Sequence, residues 1–519
     1  MFTATDSSAT ILIVLLALGI LGWGFYRAKP FGKLGILAWL QSVVLMVPWL
    51  LFFGLFSAGI YLNLVSILFL VVASAGLYIF LGKRLRVAGE DMALRSRLSE
   101  MLNANQDSST ENPTSEQDAS PAQAQETPKE AIGRSAEVVP IPDEDLKIIQ
   151  GIFGIDTFFA TETIAYQEGA IFKGNLRGEP AAVHARLSES LQERIGVSEA
   201  APQEPRYQLF LVENPEGKPV VVVLPSSNNP QPTTISQKIL AVVLLIATIA
   251  TSLETAGLLL SFDLFSHWER LNDVLPITAG IWTILLAHEL GHRLVARRNN
   301  VRLSPPFFIP SFQIGSFGAI NRFESLLPNR TVLFDIALAG PAVSGIVSLL
   351  MLITGLLLSH QGSLFQVPSQ FFQGSILVGT LSRVVLGSAL QNNLVDVHPL
   401  TIIGWLGLVI TALNLMPAGQ LDGGRIVQAI YGRQIAQRAT LATLILLGIV
   451  SLVNPANPIT LYWAIVIVFL QRGLERPSLN EITEPDDARA ALALLALFLM
   501  IATLIPLAPG LAGRLGIGG

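Results

Sequence analysis

The 519-residue chain contains no cysteine. That excludes disulfides, thiolate nucleophiles and cysteine metal sites together, so any metal must be held by His, Asp or Glu. Charge is scarce as well: 14% of residues are Asp, Glu, Lys or Arg, against roughly 25% in ordinary soluble domains. The 33 basic and 38 acidic side chains leave a net charge of −5 and form no basic domain, which excludes nucleic acid as a partner. What is present is apolar: 51% of residues are hydrophobic, many in runs near 20 residues long. Runs of that length predict an all-α polytopic membrane protein in contact with a lipid bilayer.

Three spans, near 9–26, 35–56 and 60–82, make an N-terminal membrane segment over 1–84. The first has the length of a spanning helix and follows Asp6 rather than a basic cluster, so it does not read as a cleaved signal. Basic residues follow the first span (Arg27, Lys29, Lys33) and the third (Lys83, Arg84, Arg86). The excess of positive charge on cytoplasmic loops then puts the segment after residue 83 in the cytoplasm. A charged helix and a polar linker fill 85–139, with too few large apolar residues to offset ordering entropy. A small soluble α+β domain is expected over 140–232, with helices at 143–150 and 180–195 and a hairpin pairing 207–213 with 219–224.

The remainder, 233–510, reads as a membrane core with spans near 237–260, 276–296, 331–358, 399–417, 437–453, 458–471 and 490–507, the fifth and sixth being short and open to a reading as one broken hairpin. Arg293, Arg297 and Arg298 put the end of the second of these on the cytoplasmic side. The apolar stretch 374–390 carries Arg383 and is read as an extracytoplasmic or membrane-surface helix, which keeps the later spans in register.

The second core span carries His288-Glu289-Leu290-Gly291-His292. Two imidazoles four residues apart share one helix face and can reach one ion, and the glutamate between them can take a proton from a water acidified by that ion. Polar groups at membrane depth are costly and usually functional. Catalytic zinc generally has three protein ligands. The third candidate is Asp422, in the turn after span 399–417, which ends on the same side of the membrane as the histidines. The set predicts one Zn²⁺ per chain held by His288, His292 and Asp422, with Glu289 as general base and acid. Asn414 is a candidate amide donor for substrate backbone or a developing oxyanion; a membrane asparagine also serves simply to bond a neighbouring helix. Asp335 either pairs with a base or caps a helix, and Asp422 also suits a turn before two glycines. A metal carrier is the rival reading; Glu289, needless for carriage, argues against it.

These motifs, with 334–341 (Phe-Asp-Ile-Ala-Leu-Ala-Gly-Pro) between them, resemble the site-2 protease family of intramembrane zinc metalloproteases. Gly174-Asn175-Leu176-Arg177-Gly178 is similar to a motif of its plant and cyanobacterial branch, named for ethylene-dependent gravitropism-deficient and yellow-green plants. On its own residues this stretch reads equally as a glycine-bounded turn. The resemblance covers about 140–510 and implies regulated intramembrane proteolysis of transmembrane protein substrates. It implies a bacterial plasma membrane or a thylakoid, with the site near the cytoplasmic or stromal face. It also implies a membrane-associated β-loop at 301–330, whose strand edge could bind an unwound substrate. No PDZ-like domain separates the two motifs.

Overall fold

The computed structural model describes residues 141–453 and 458–517, apart from 167, 197–204, 215 and 472, with scattered positions between 19 and 84. The chain divides into two compact units, 1–132 with 449–458, and 133–448 with 459–519. In the first unit, residues 21–28 and 35–40 are helical, and Trp39 Nε1 donates to Leu21 O. The three expected N-terminal spans lie largely, and the linker wholly, outside the described residues.

The second unit opens with a sheet domain. Helix α1 (Asp143–Gln150) leads to β1 (Phe158–Tyr166) and β2 (Gly169–Leu176), then α2 (Pro180–Ile195), β3 (Tyr207–Glu213) and β4 (Pro219–Pro225). The strands form one antiparallel sheet in the order β1-β2-β4-β3. Alternate residues Leu209, Leu211, Val221 and Val223 point inward, and Val183, Leu187 and Leu191 of α2 close over them. Strands β1 and β2 escape the sequence reading because their alternation is broken by polar and glycine positions. Gly174 is one cause: a Cβ there would meet Phe159 O at 2.2 Å across the β1–β2 pair. The Gly174–Gly178 stretch is thus a strand end and a turn, with Gly178 at φ +96° and Arg177 exposed.

The helical core follows: α3 (Ile235–Leu259), α4 (Leu271–Arg298), a hairpin of β5 (Phe307–Ser311) and β6 (Gly315–Ile320), and α5 (Arg330–Leu358). Next come β7 (Phe365–Pro368), α6 (Ile376–Leu386), β8 (Leu394–Val397) and α7 (Pro399–Asn414). The chain ends with α8 (Asp422–Val453), α9 (Pro458–Val466), α10 (Asp487–Leu504) and α11 (Pro509–Arg514). Among the described residues five helices are long and apolar enough to cross a membrane: α3, α4 with its preceding turn, α5, α8 and α10.

Of the seven spans expected here, those near 399–417 and 458–471 fall on shorter apolar helices. The expected 399–417 span ends at Asn414 after 16 residues, because the turn through Pro417 and Gly419 intervenes before α8. Residues 422–453 are two helices meeting at a kink at Gly432 (φ 80°), and the second of them covers the expected 437–453 span. The 458–471 stretch is a nine-residue helix followed by a π-turn.

Buried positions on α4 recur every three or four residues, at 274, 277, 281, 284, 288 and 292, so one face packs inward. The opposite face is apolar too, with Leu286, Leu290 and Leu294 each more than half exposed. Asp335 of α5 pairs with Arg489 of α10 through two bonds of 2.7 and 2.9 Å. Residues 478–481 join sheet to core: Leu211 N donates to Leu479 O and Glu481 N to Leu211 O, while Leu479 N donates to Leu327 O.

His184 of α2 donates from Nε2 to Leu209 O at 3.1 Å, and burial lowers its pKa despite that bond. The folded domain therefore keeps His184 neutral, whereas the unfolded chain takes up a proton below about pH 6.5. Its contribution to stability is full above pH 6.5 and declines as the pH falls below it. Hydrogen exchange of residues 183–211 in the full chain should accelerate between pH 7 and 5, after correction for intrinsic rates. A His184→Gln protein should lose most of that extra pH dependence.

Candidate metal centre

Two helices bring His288, His292 and Asp422 together, all buried. The two histidines sit one turn apart on α4, and Asp422 opens α8 after the turn that follows α7. His288 Nε2 and His292 Nε2 are 3.0 Å apart, and Asp422 Oδ2 lies 3.1 and 3.4 Å from them. Tetrahedral zinc with bonds near 2.0–2.1 Å sets ligand separations of about 3.3 Å, so this triangle has the right edge length.

The chemistry of the donor atoms agrees. His292 Nδ1 bonds to Ile336 O at 2.7 Å; only a protonated Nδ1 can do that, which leaves a lone pair on Nε2. His288 Nδ1 lies 3.0 Å from Ser344 Oγ, which meets Thr411 Oγ1 at 3.0 Å. With Nδ1 donating to Ser344, His288 also turns a lone pair inward. Two imidazole lone pairs and a carboxylate converging in the interior are mutually repulsive unless a cation joins them, and the residues fit a divalent ion.

Close helix approach makes this possible. A Cβ on Gly340 of α5 would lie 2.2 Å from His292 Nε2, and one on Gly291 would lie 2.5 Å from Ala339 O. The two glycines let α4 and α5 touch backbone to ring. Pro341 withholds a helix-ladder N–H one turn below, next to the carbonyl that His292 uses.

Glu289 is buried beside the cluster. Asn321 Nδ2 donates to its Oε2 at 2.8 Å, and Arg293 Nε lies 2.5 Å from Oε1. That second contact is an oblique ion pair, so Oε1 keeps no well-aligned hydrogen bond. His288, Glu289, Gly318, Ser344 and Thr411 line one cavity of about 10 Å³, roughly the space for a single water.

Asn414, at the end of α7, donates from Nδ2 to Phe317 O (3.1 Å) and Ile410 O (2.9 Å). Both amide protons are thereby engaged, and the side chain ties β6 to α7. Gly318 (φ +98°) has to be glycine here, since a Cβ would meet Asn414 Nδ2 at 2.8 Å. The hairpin is held from the other side by Thr251 Oγ1 donating to Gly315 O (2.7 Å) and by Phe317 stacked on Tyr462 and Trp463.

Comparison with known proteins agrees with this geometry. Residues 276–454 match peptidase family M50, and residues 147–232 match the EGY3 middle domain. The chain is 37% identical over 413 residues to the probable zinc metalloprotease EGY1, chloroplastic, of Arabidopsis thaliana, covering 72% of this chain and 73% of the relative. It is 38% identical over 374 residues to the probable zinc metalloprotease EGY2, chloroplastic, of the same plant, covering 70% and 65%. It is 33% identical over 390 residues to the probable zinc metalloprotease EGY3, chloroplastic, of Oryza sativa subsp. japonica, covering 70% and 64%. No solved structure matches the chain. The chain belongs to the EGY-type site-2 proteases of family M50. It is a zinc metalloendopeptidase, and His288, His292 and Asp422 form a group able to bind one ion.

Of the residues singled out from sequence, the structure brings His288, Glu289, His292, Asn414 and Asp422 into one locality. Sequence reasoning missed Ser344, Thr411 and Asn321, whose contacts depend on tertiary packing. Arg293 carried a signal that went unread: it lies four residues after Glu289, on the same helix face.

Gly340→Ala should reduce zinc from one atom per purified chain to nearly none, measured by elemental analysis. Ser344→Ala should weaken zinc affinity by about tenfold through loss of the bond that orients His288. Unchanged zinc retention against a chelator in both would contradict the ligand geometry.

Proposed function

We propose that this zinc endopeptidase works within a membrane, with His288, His292 and Asp422 as its metal ligands and transmembrane proteins as its substrates. The apolar outer faces of α3, α4 and α10 support the placement: Ile239, Val243, Leu290, Leu294, Leu495 and Phe498 are all exposed. Side chains of that kind are satisfied by lipid and not by water. Arg297 and Arg298 at the end of α4 suggest that the centre lies toward the cytoplasmic or stromal face. The chloroplastic relatives favour a thylakoid membrane.

Zinc, when bound, supplies Lewis acidity that acidifies water and polarises a carbonyl. Glu289 is the residue positioned to move protons: Asn321 fixes one oxygen and the Arg293 guanidinium faces the other. It takes a proton from the attacking water and delivers one to the leaving amine. This buried carboxylate next to the ligand triangle, held by Asn321 on one oxygen and Arg293 on the other, is the observation that carries the reading.

Strand β6 borders the same small cavity. Its carbonyls at Gly315 and Phe317 are engaged by Thr251 and Asn414. An extended substrate segment can add to this strand by exchanging those side-chain bonds for backbone ones. Asn414 is thus a clamp in this conformation and becomes an amide donor to substrate once Phe317 O is released. The sheet domain, linked to the core by 478–481, is proposed to present or screen substrates.

Glu289→Gln keeps the shape of the side chain and removes its basicity. It should retain one zinc per chain and lose cleavage of a single-span reporter in proteoliposomes by at least about 100-fold. Cleavage at the wild-type rate would sink the assignment. Removing 140–230 should alter which reporters are cut more than it alters zinc content; identical selectivity would refute the role of the sheet domain.

A further inference from the structure

Four residues outside the metal cluster tie its two halves together. Asn321, which donates to Glu289 Oε2 at 2.8 Å, immediately follows β6. Its main-chain carbonyl accepts from Arg425 Nη2 at 2.6 Å. Arg425 stands three residues after Asp422 on α8, with Nη1 4.0 Å from Asp422 Oδ1. Its charge is met by Glu475, whose Oε2 lies 3.1 Å from Nε and 2.9 Å from Nη2. Phe323 covers the guanidinium at 4.8 Å. Glu475 is fixed in turn by two backbone bonds with the Gln428 side chain and one from Arg433.

Arg425 is 4% exposed and Asn321 5%. A buried ion pair is poor value for stability alone, because desolvating both charges offsets most of their attraction. This one instead joins the helix that supplies Asp422 to the loop that supplies the partner of Glu289. A planar guanidinium can hold a carboxylate on one side and a carbonyl on another with fixed angles, which an ammonium cannot.

We propose that Asn321 and Arg425 are positioning residues that set Glu289 in register with the metal ligand Asp422. The inference rests on Glu289 acting as the proton-transfer group. Arg425 holds the residue 321 carbonyl, the loop holds the Asn321 amide, and the amide, opposite Arg293 on the other oxygen, fixes the plane of the Glu289 carboxylate. General-base efficiency depends on that geometry, so loss of either member lowers turnover without changing how substrate or zinc is bound. Because the two act in series, the second loss adds nothing to the first.

The test uses the zinc-saturated full chain in liposomes with the same single-span reporter, comparing Asn321→Ala, Arg425→Lys and the double variant. Asn321→Ala leaves the backbone acceptor of Arg425 intact, so it remains informative even if Arg425→Lys proves unstable. Each single change should lower kcat about 10–100-fold, with KM and zinc per chain unchanged. The double variant should be no slower than the slower single one. Wild-type kcat in Asn321→Ala, losses that multiply in the double variant, or a loss seen only in KM or zinc content would each overturn the bridge. Glu289→Gln is measured alongside. If it cleaves normally, the reading of Glu289 fails and the bridge with it. If it is inactive while Asn321→Ala is not, the bridge alone fails.

Discussion

The packing of His292 against Gly340 is the contact on which the centre depends. No side chain larger than hydrogen fits at residue 340, since a Cβ would stand 2.2 Å from Nε2. The same approach lets Nδ1 reach Ile336 O at 2.7 Å. That bond is worth only about 1 kcal/mol net, but its absence in a dry interior would cost about 1–3 kcal/mol and release the ring. It also selects the tautomer, so packing geometry between two helices becomes lone-pair direction at the metal. Ser344, one turn further along α5, performs the equivalent task for His288 and extends it to Thr411 of α7. One helix, α5, therefore orients both imidazoles without supplying a ligand.

Polar groups inside the core are arranged around that result. Glu289, Asn321, Arg425, Asp422 and Glu475 are all buried, yet each has a partner from a different segment. In a low-dielectric interior a half-satisfied network is costly, so the presence of this one argues for chemistry over stability. The segment that carries Glu475 continues into residues 478–481, which bond to β3 of the sheet domain and to the residues preceding α5. The sheet domain is thus attached to the core at the stretch that also neutralises Arg425.

Much of the architecture was legible because long apolar helices write themselves in long apolar runs and paired histidines in fixed spacings. The i, i+4 histidines need only helical geometry, and α5 and α10 begin and end within a few residues of their apolar runs. Asp422 stands out because the expected spans put the ends of 276–296 and 399–417 on one side, and its Oδ2 lies 3.1 Å from His288 Nε2. Where the reading missed, physical causes are visible. Pro417 and Gly419 stop α7 at 16 residues, although apolarity continues beyond it. β2 carries Gly169 and Gly174 where a neighbouring backbone leaves no room, and β1 carries polar residues at 161–163, which breaks the alternation that marks a strand. Ser344 and Asn321 lie 56 and 32 residues from the side chains they orient, and no local pattern encodes such a distance.

Asn414 shows how a residue type can be read correctly and its present task missed. An amide near a hydrolytic site suggests a donor to substrate, yet here both protons are taken by Phe317 O and Ile410 O. The two readings join if the Phe317 bond is exchangeable. A β-strand offers its carbonyl to whichever donor is present, and a substrate backbone replaces an asparagine at little net cost because bonds made and broken are alike. The interior would then never contain an unpaired carbonyl, before or after substrate arrives. With only about 10 Å³ beside Glu289 and Gly318, the proposed entry of an extended segment requires β6 to shift from α7. On that reading the asparagine that ties β6 to α7 would be the group freed by the shift.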